Sequence, residues 1–310
     1  MGLPGWPYPE PPFHGGEIAV QARAGVEEAI AAVGRRVIRA MMPAQHREFF
    51  AQLPFVVLGA VDEEGQPWAS ILTGAQVGFV AAPDERTLDV AAVPDPDDPM
   101  APLLRRGAAL ALLGIELLTR RRNRANGRIV RVRDDGFLLG VEQSFGNCAK
   151  YISVRELVAR QSGPSPSAPE RLANLDAAAR SFIRGADTFF IATHAPGTPH
   201  DGGADIAHRG GPPGFVRVSD DGSVLAWPDF QGNRYFNTLG NLVLNSRAGL
   251  LFPDFRSGDL LHVVGEARIE WRPEASQGAA GPDRSLCLQV REVVRRPAAW
   301  PLRWRRIEAA

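Results

Sequence analysis

The chain has 310 residues, enough for about two domains of ordinary size, and 45% of them are hydrophobic, so each domain can bury a core. Its 35 basic and 35 acidic side chains cancel, which excludes a global field drawing it to nucleic acid or an anionic membrane; a charged ligand has to be held by a local cluster. Two cysteines, Cys148 and Cys287, exclude a disulfide framework and a cysteine-rich zinc or iron–sulfur site.

The start, "MGLPGWPYPEPPFHGG", lacks the basic residues and apolar run of a signal peptide. No stretch is apolar for long enough to span a bilayer. The expectation is a soluble, cytoplasmic protein. "GEIAVQARAGVEEAIAAVGRRVIRAMM" alternates apolar and charged residues at helical spacing and is closed by Pro43, and "AQHREFFAQL" reads as a second, shorter helix. From Leu53 the texture turns to short β-rich runs broken by turns: "FVVLGAV", "WASILTG", "VGFVAA" and "TLDVAAV". "QSGPSPSAPE", residues 161–170, reads as a linker; a helical "RLANLDAAARSFIRGA" follows, and β texture returns with "TFFIATHA". These breaks divide the chain into an N-terminal extension with helix (1–42), a first β unit (43–160) and a second (161–310).

The two β units align as an internal repeat. Gly78-Phe79-Val80 lies over Gly214-Phe215-Val216 and Gly127 over Gly265, with spacings of 49 and 51 residues between the matched glycines. Each copy is introduced by a helix, and a polar-turned segment crosses between its strands. The fold class expected is mainly β with flanking helices (α+β).

The crossing segments differ in charge. "PDFQGNRYFNTLGNL" in the second copy offers a glycine turn at Gly232, Asn233 as an expected N-cap, and Arg234. The free N–H groups of a helix start there would suit an anion. On that helix Tyr235, Phe236, Leu239, Leu242 and Val243 form one face, while Asn233, Asn237, Asn241 and Asn245 form another. The first copy reads "VPDPDDPMAPLL", in which Asp95, Asp97 and Asp98 would repel a phosphate. Arg217 in "GFVRV" likewise corresponds to Ala81 in "GFVAA". One phosphate pocket per chain is expected, in the second copy. The asparagines equally suit a capped helix whose amides bind neighbouring loops.

These residues carry a resemblance. "GGPPGFVRV…GSVLAWPDFQGNRYFNTLGNLVLNSRAGLLF…GEARI" resembles the FMN-binding split β-barrels of the pyridoxamine 5'-phosphate oxidase-like family, and "EQSFGNCAKYI", residues 142–152, resembles the NCPK-type element of its single-barrel members. The likeness runs over residues 45–305, with the second copy the clearer match. It implies two tandem split β-barrels with FMN between them, the flavin phosphate held by Arg217 and Arg234 in the positions of the family's basic strand end and helix turn. It further implies Arg209, Gly210, Gly211, Val216, Asp229, Gly232, Asn233, Asn237 and Asn241 as the second copy's cofactor contacts. The first copy would reach across with Arg120, Arg121, Arg122 and Arg124 from "TRRRNRANG", as contacts to the flavin edge or a substrate anion, and with Asn147 and Lys150 from "SFGNCAK". "GDLLHVVGEA" lacks the arginine-rich strand used for pyridoxal phosphate, so a vitamin B6 enzyme is not expected.

The resemblance implies two-electron oxidoreduction of a small-molecule substrate, with NAD(P)H or a separate reductase as electron source, and it admits a homodimer. A flavin-binding carrier or sensor without turnover, and a scaffold that has lost its cofactor, are the alternatives. No general acid or base is identifiable. His194, His200 and His208, with Asp201 and Asp205, are too irregular for a metal site. His208 or His262 would be the axial ligand if the fold held haem. Cys148 reads as a small packed residue.

Overall fold

A computed structural model describes residues 5–161, 168–197, 202–272 and 282–307. Most of the expected linker, and His200 and Asp201, lie outside the described residues. Near the N-terminus the expected single helix is two: α1 (Gly15–Arg23) and α2 (Glu27–Val37). They part at Gly25, whose φ of 67° belongs to the left-handed region that glycine enters without strain. A capping box between His14 and Glu17 opens α1. Helix α3 (Ala44–Ala51) follows Pro43 and buries Phe49 and Phe50.

The first sheet is antiparallel. Its strands are β1 (Val56–Val61), β2 (Pro67–Leu72), β3 (Val80–Ala81), β4 (Thr87–Val90), β5 (Ala109–Glu116), β6 (Arg121–Arg133) and β7 (Gly136–Gly146). After β8 (Arg155–Arg160) and β9 (Glu170–Leu172), α4 (Ala177–Gly185) introduces the second sheet. That sheet holds β10 (Thr188–Ala195), β11 (Gly203–Gly210), β12 (Arg217–Val218), β13 (Val224–Pro228), β14 (Arg247–Pro253), β15 (Leu260–Trp271) and β16 (Arg284–Arg296), with α5 (Asn237–Leu244) between β13 and β14. The spatial orders are β2-β1-β5-β6-β7-β4-β3 and β11-β10-β14-β15-β16-β13-β12, the same path walked twice. Strand β9 adds to β16, and β17 (Leu302–Arg306) pairs with β8 across the two halves.

The glycines that marked the repeat have a backbone reason to be there. Gly78 and Gly214 take φ values of 92° and 87°. The register slips at Asn126/Gly127 in one half and Val264/Gly265 in the other, and a Cβ there would run into the carbonyl oxygen of Gly140 or Gln289. Each sheet encloses its own apolar cluster, built around Leu58, Leu112 and Phe137 in the first and Ile191, Leu250 and Leu288 in the second. A third cluster, with Phe55, Val57, Phe190, Ile206, Leu251 and Trp300, joins the two sheets. At roughly 1.5–3 kcal/mol for each fully buried large apolar side chain, this shared core makes the halves one packed body. Among the described residues no helix is long and apolar enough to cross a membrane.

Candidate functional site

Where the halves meet, a cleft of about 200 Å³ opens. Strand alternation puts Arg122 and Arg124 of β6 on one side of the pleat, and both reach it. Lys150 and Tyr151 follow from the segment after β7. The second half contributes His208, Arg209 and Gly210 at the end of β11, the run from Pro228 to Arg234, and Phe236 to Leu239. Ala24 and Val26 of the turn between α1 and α2 complete the wall.

The charge is lopsided. Six cationic side chains (Arg122, Arg124, Lys150, Arg209, Arg234, Arg284) face two carboxylates (Asp229, Asp283). Arg284 pairs with Asp229 at 3.0 Å, and Arg124 with the buried Asp205 at 2.8 Å. Arg122 and Arg209, both partly buried, have no carboxylate in ion-pair contact among the described residues. Arg122 donates instead to the carbonyl of Cys148 at 2.8 Å and to Nδ1 of His208 at 3.0 Å. Arg209 donates to the carbonyl of His208 at 3.1 Å. Burial, then Arg124 and Arg209, pull Arg122 down to about 9; burial lowers Arg209 as well, against the longer-range attraction of Asp229. Cations pressed together in a low-dielectric wall favour an anion among them.

Arginine only donates, so its bond to Nδ1 fixes His208 with the proton on Nε2. Burial and the neighbouring arginines keep this ring neutral, well below the ordinary histidine range. An Nε2 that carries a proton has no lone pair for iron. His262, 1% exposed, donates from Nδ1 to the carbonyl of Ala69 at 3.0 Å and is enclosed by the packed core. Neither histidine stands as an open axial ligand. Among the described residues no three His, Cys, Asp or Glu side chains group as a metal site.

Of the residues anticipated from sequence, Arg122, Arg124, Lys150, Arg209, Gly210, Asp229, Gly232, Asn233, Arg234 and Asn237 line the cleft together. Five do not. Gly211 packs on Phe215, and Val216 is in the second core. The main-chain N–H of Asn147 donates to the Arg122 carbonyl. Asn241 is buried, bonded to Thr193 at 2.9 Å and to His14 at 2.8 Å. Arg217 is exposed on the two-residue edge strand β12, so the expected pairing of Arg217 with Arg234 around one phosphate is not made.

The helix start also differs. α5 begins at Asn237, after Arg234 and Phe236 have taken φ values of 62° and 61°. Asn233 lies outside it and accepts from the Tyr235 N–H at 3.1 Å rather than capping the helix. Tyr235 is buried as expected, but Val243 is 52% exposed. The amides mainly serve the fold: Asn237 donates to Glu17 of α1 and accepts from Arg124 at 3.1 Å. This union is tight because Gly16 and Gly240 let α1 and α5 touch backbone to backbone. Of "TRRRNR", Arg120 sits in the exposed hairpin turn and Arg121 lies 4.5 Å over the Phe49 ring.

Sequence reading missed Tyr151, stacked on Phe230 with ring centroids 5.2 Å apart, as well as Phe236 and Arg284, 4.9 Å apart as cation and ring. Tyr151 stands next to last in "EQSFGNCAKYI", its φ of 66° marking a forced turn. Arg284 becomes visible only once β13 and β16 are in register.

Residues 42–167 match the model of the family described as pyridoxamine 5'-phosphate oxidase. Over this segment, less than half of the chain, the sequence is similar to that family. The matched part is the first half, although the second was expected to match more clearly. No curated protein matches. Among solved structures, a HupZ protein of Group A Streptococcus is 17% identical over 39% of this chain and 98% of its own, with a TM-score of 0.31. A putative pyridoxamine 5'-phosphate oxidase of Lactobacillus delbrueckii is 16% identical over 39% and 94%, also at 0.31. An FAD-binding protein of Mycobacterium smegmatis is 16% identical over 41% and 99%, at 0.27. Likenesses this remote say nothing about ligand or reaction.

Proposed function

We propose that the chain is a flavoprotein of two tandem split β-barrels that binds one FMN in the cleft between its halves and serves two-electron oxidoreduction of a small substrate. The observation that carries this reading is the pair Arg122 and Arg209, contributed by opposite halves and lacking a carboxylate partner among the described residues. A phosphate meets that demand, because guanidinium forks match its oxygens and each such bond is charge-assisted.

The remaining wall fits the rest of the group. Tyr151, Phe230 and Phe236 offer flat apolar faces to a planar ring. Asn233 and Asn237 present neutral amides along a path where a full charge would be out of place. Bound FMN would supply the hydride chemistry, and the protein's share is position and field. His208, neutral and fixed by Arg122, is a donor rather than a base. NAD(P)H or a separate reductase would supply electrons, in the cytoplasm, where Cys148 and Cys287 stay thiols.

Titration of the flavin-free chain with FMN and with riboflavin, followed by flavin fluorescence, tests the reading. FMN should bind at one per chain and about 100-fold or more tighter than riboflavin, which lacks the phosphate. Equal affinities, or no FMN binding, overturn it. Anaerobic bleaching with NADH or NADPH then separates an enzyme from a carrier.

A further inference from the structure

The repeat gives the cleft a counterpart, and the register locates it. Gly127 pairs with Leu110, which pairs with Ala60, which pairs with Trp68. In the other half Gly265 pairs with Ala248, then Thr193, then Asp205. Counting from these anchors, Arg122, Arg124 and Arg209 correspond to Leu260, His262 and Leu72. Asn147, bonded to the Arg122 main chain, corresponds to Arg296, paired with Leu260.

Three cations of the cleft are thus absent from the counterpart, and one arginine is present that the cleft lacks. Arg296 is 3% exposed. Its Nη1 lies 2.5 Å from Oδ2 of Asp98, which also accepts from the Ser70 hydroxyl at 2.5 Å. Asp95 approaches Nη2 at 3.4 Å from the rim. Asp98 is itself 3% exposed and reaches inward from the segment that follows Pro94-Asp95, as Gly232 and Asn233 follow Pro228-Asp229 beside the cleft. Its other oxygen accepts from the Met100 N–H at 2.8 Å, anchoring the turn at Ala101–Leu103.

We propose that this position is a second anion site, selective for a single small carboxylate, which the protein keeps filled with its own Asp98. One guanidinium and one hydroxyl match one carboxylate oxygen pair, and with Asp95 at the rim they leave nothing for a dianion. The inference rests on the repeat and not on the identity of the cleft's ligand.

Thermal denaturation of Asp98→Ala with formate added at constant ionic strength tests it. Removing the carboxylate leaves Arg296 buried with only the rim contact to Asp95, so Tm should fall by about 10 °C. Formate should restore at least half of that loss saturably, while leaving the wild type and Asp98→Ala/Arg296→Met unmoved. No recovery, or equal recovery in the double variant, overturns the proposal. Should Asp98→Ala fail to fold, Asp98→Asn keeps the shape without the charge. A melting temperature for it equal to the wild type's overturns the proposal, and a loss of several degrees that formate does not relieve, the amide filling the space, supports it.

Discussion

In the cleft, β6 presents Arg122 and Arg124 to a crossing segment that places no carboxylate against Arg122. At the counterpart, β15 presents Leu260 and His262 to a segment whose Asp98 reaches in to Arg296. The strand order around both is the same. What separates an open charged pocket from a closed one is therefore a handful of side chains on a common frame, and the sign of the balance: excess cations on one side, a matched ion pair on the other. The frame is set by hydrogen-bond register and apolar packing, which tolerate such exchanges.

Converting one side into the other gives the largest expected effect. Arg122→Leu with Arg209→Leu copies the counterpart's residues into the cleft. FMN affinity should fall by about 100-fold or more, while the flavin-free protein melts at the same or a higher temperature, because crowded cations have been relieved. Retained stoichiometric flavin would break the comparison. The equivalence of the two frames is checked by Gly127→Ala and Gly265→Ala. Each forces a Cβ against a carbonyl at a bulge, and both should lose about 2–4 kcal/mol in urea unfolding. A large loss in one and none in the other would mean the bulges are not equivalent.

A smaller effect comes from the N-terminal arm that packs on the cleft side. Burial raises Glu17 from 4.5 to about 8, against the bonds from His14 and Asn237. Between those values the folded chain holds a proton that the unfolded chain has lost, so stability declines as pH rises and levels off above about 8. Glu17→Gln should flatten that decline, read as Tm from pH 5 to 8.5. An unchanged slope would assign it to other groups. The smallest effect is expected for Arg217→Ala: exposed on its edge strand, it should leave FMN affinity within about twofold, and a tenfold loss would return Arg217 to the ligand.

How much of this the sequence displayed depended on the kind of constraint. Gly78, Gly127, Gly214 and Gly265 were legible because a left-handed turn or a bulge leaves a mark that only glycine makes. Arg122, Arg124 and Arg209 were legible as local clusters in short motifs. The helix start was not, because Arg234 and Phe236 adopt left-handed backbone without glycine. Arg217 misled because a two-residue strand gives no periodicity from which to tell inward from outward. Asn241 was assigned to a ligand because its partner, His14, stands 227 positions away, beyond any local pattern. Asp98 was read as hostile to phosphate from its charge alone, because its own arginine lies 198 positions on.

The ribbon of β8 and β17 sets an order of assembly. Strand β8 is made well before β17, its hydrogen-bonding partner. Leu157 and Val158, 43% and 50% exposed even in the finished protein, belong to an unpaired edge throughout that interval, the stage at which a nascent chain is most open to pairing with a stranger.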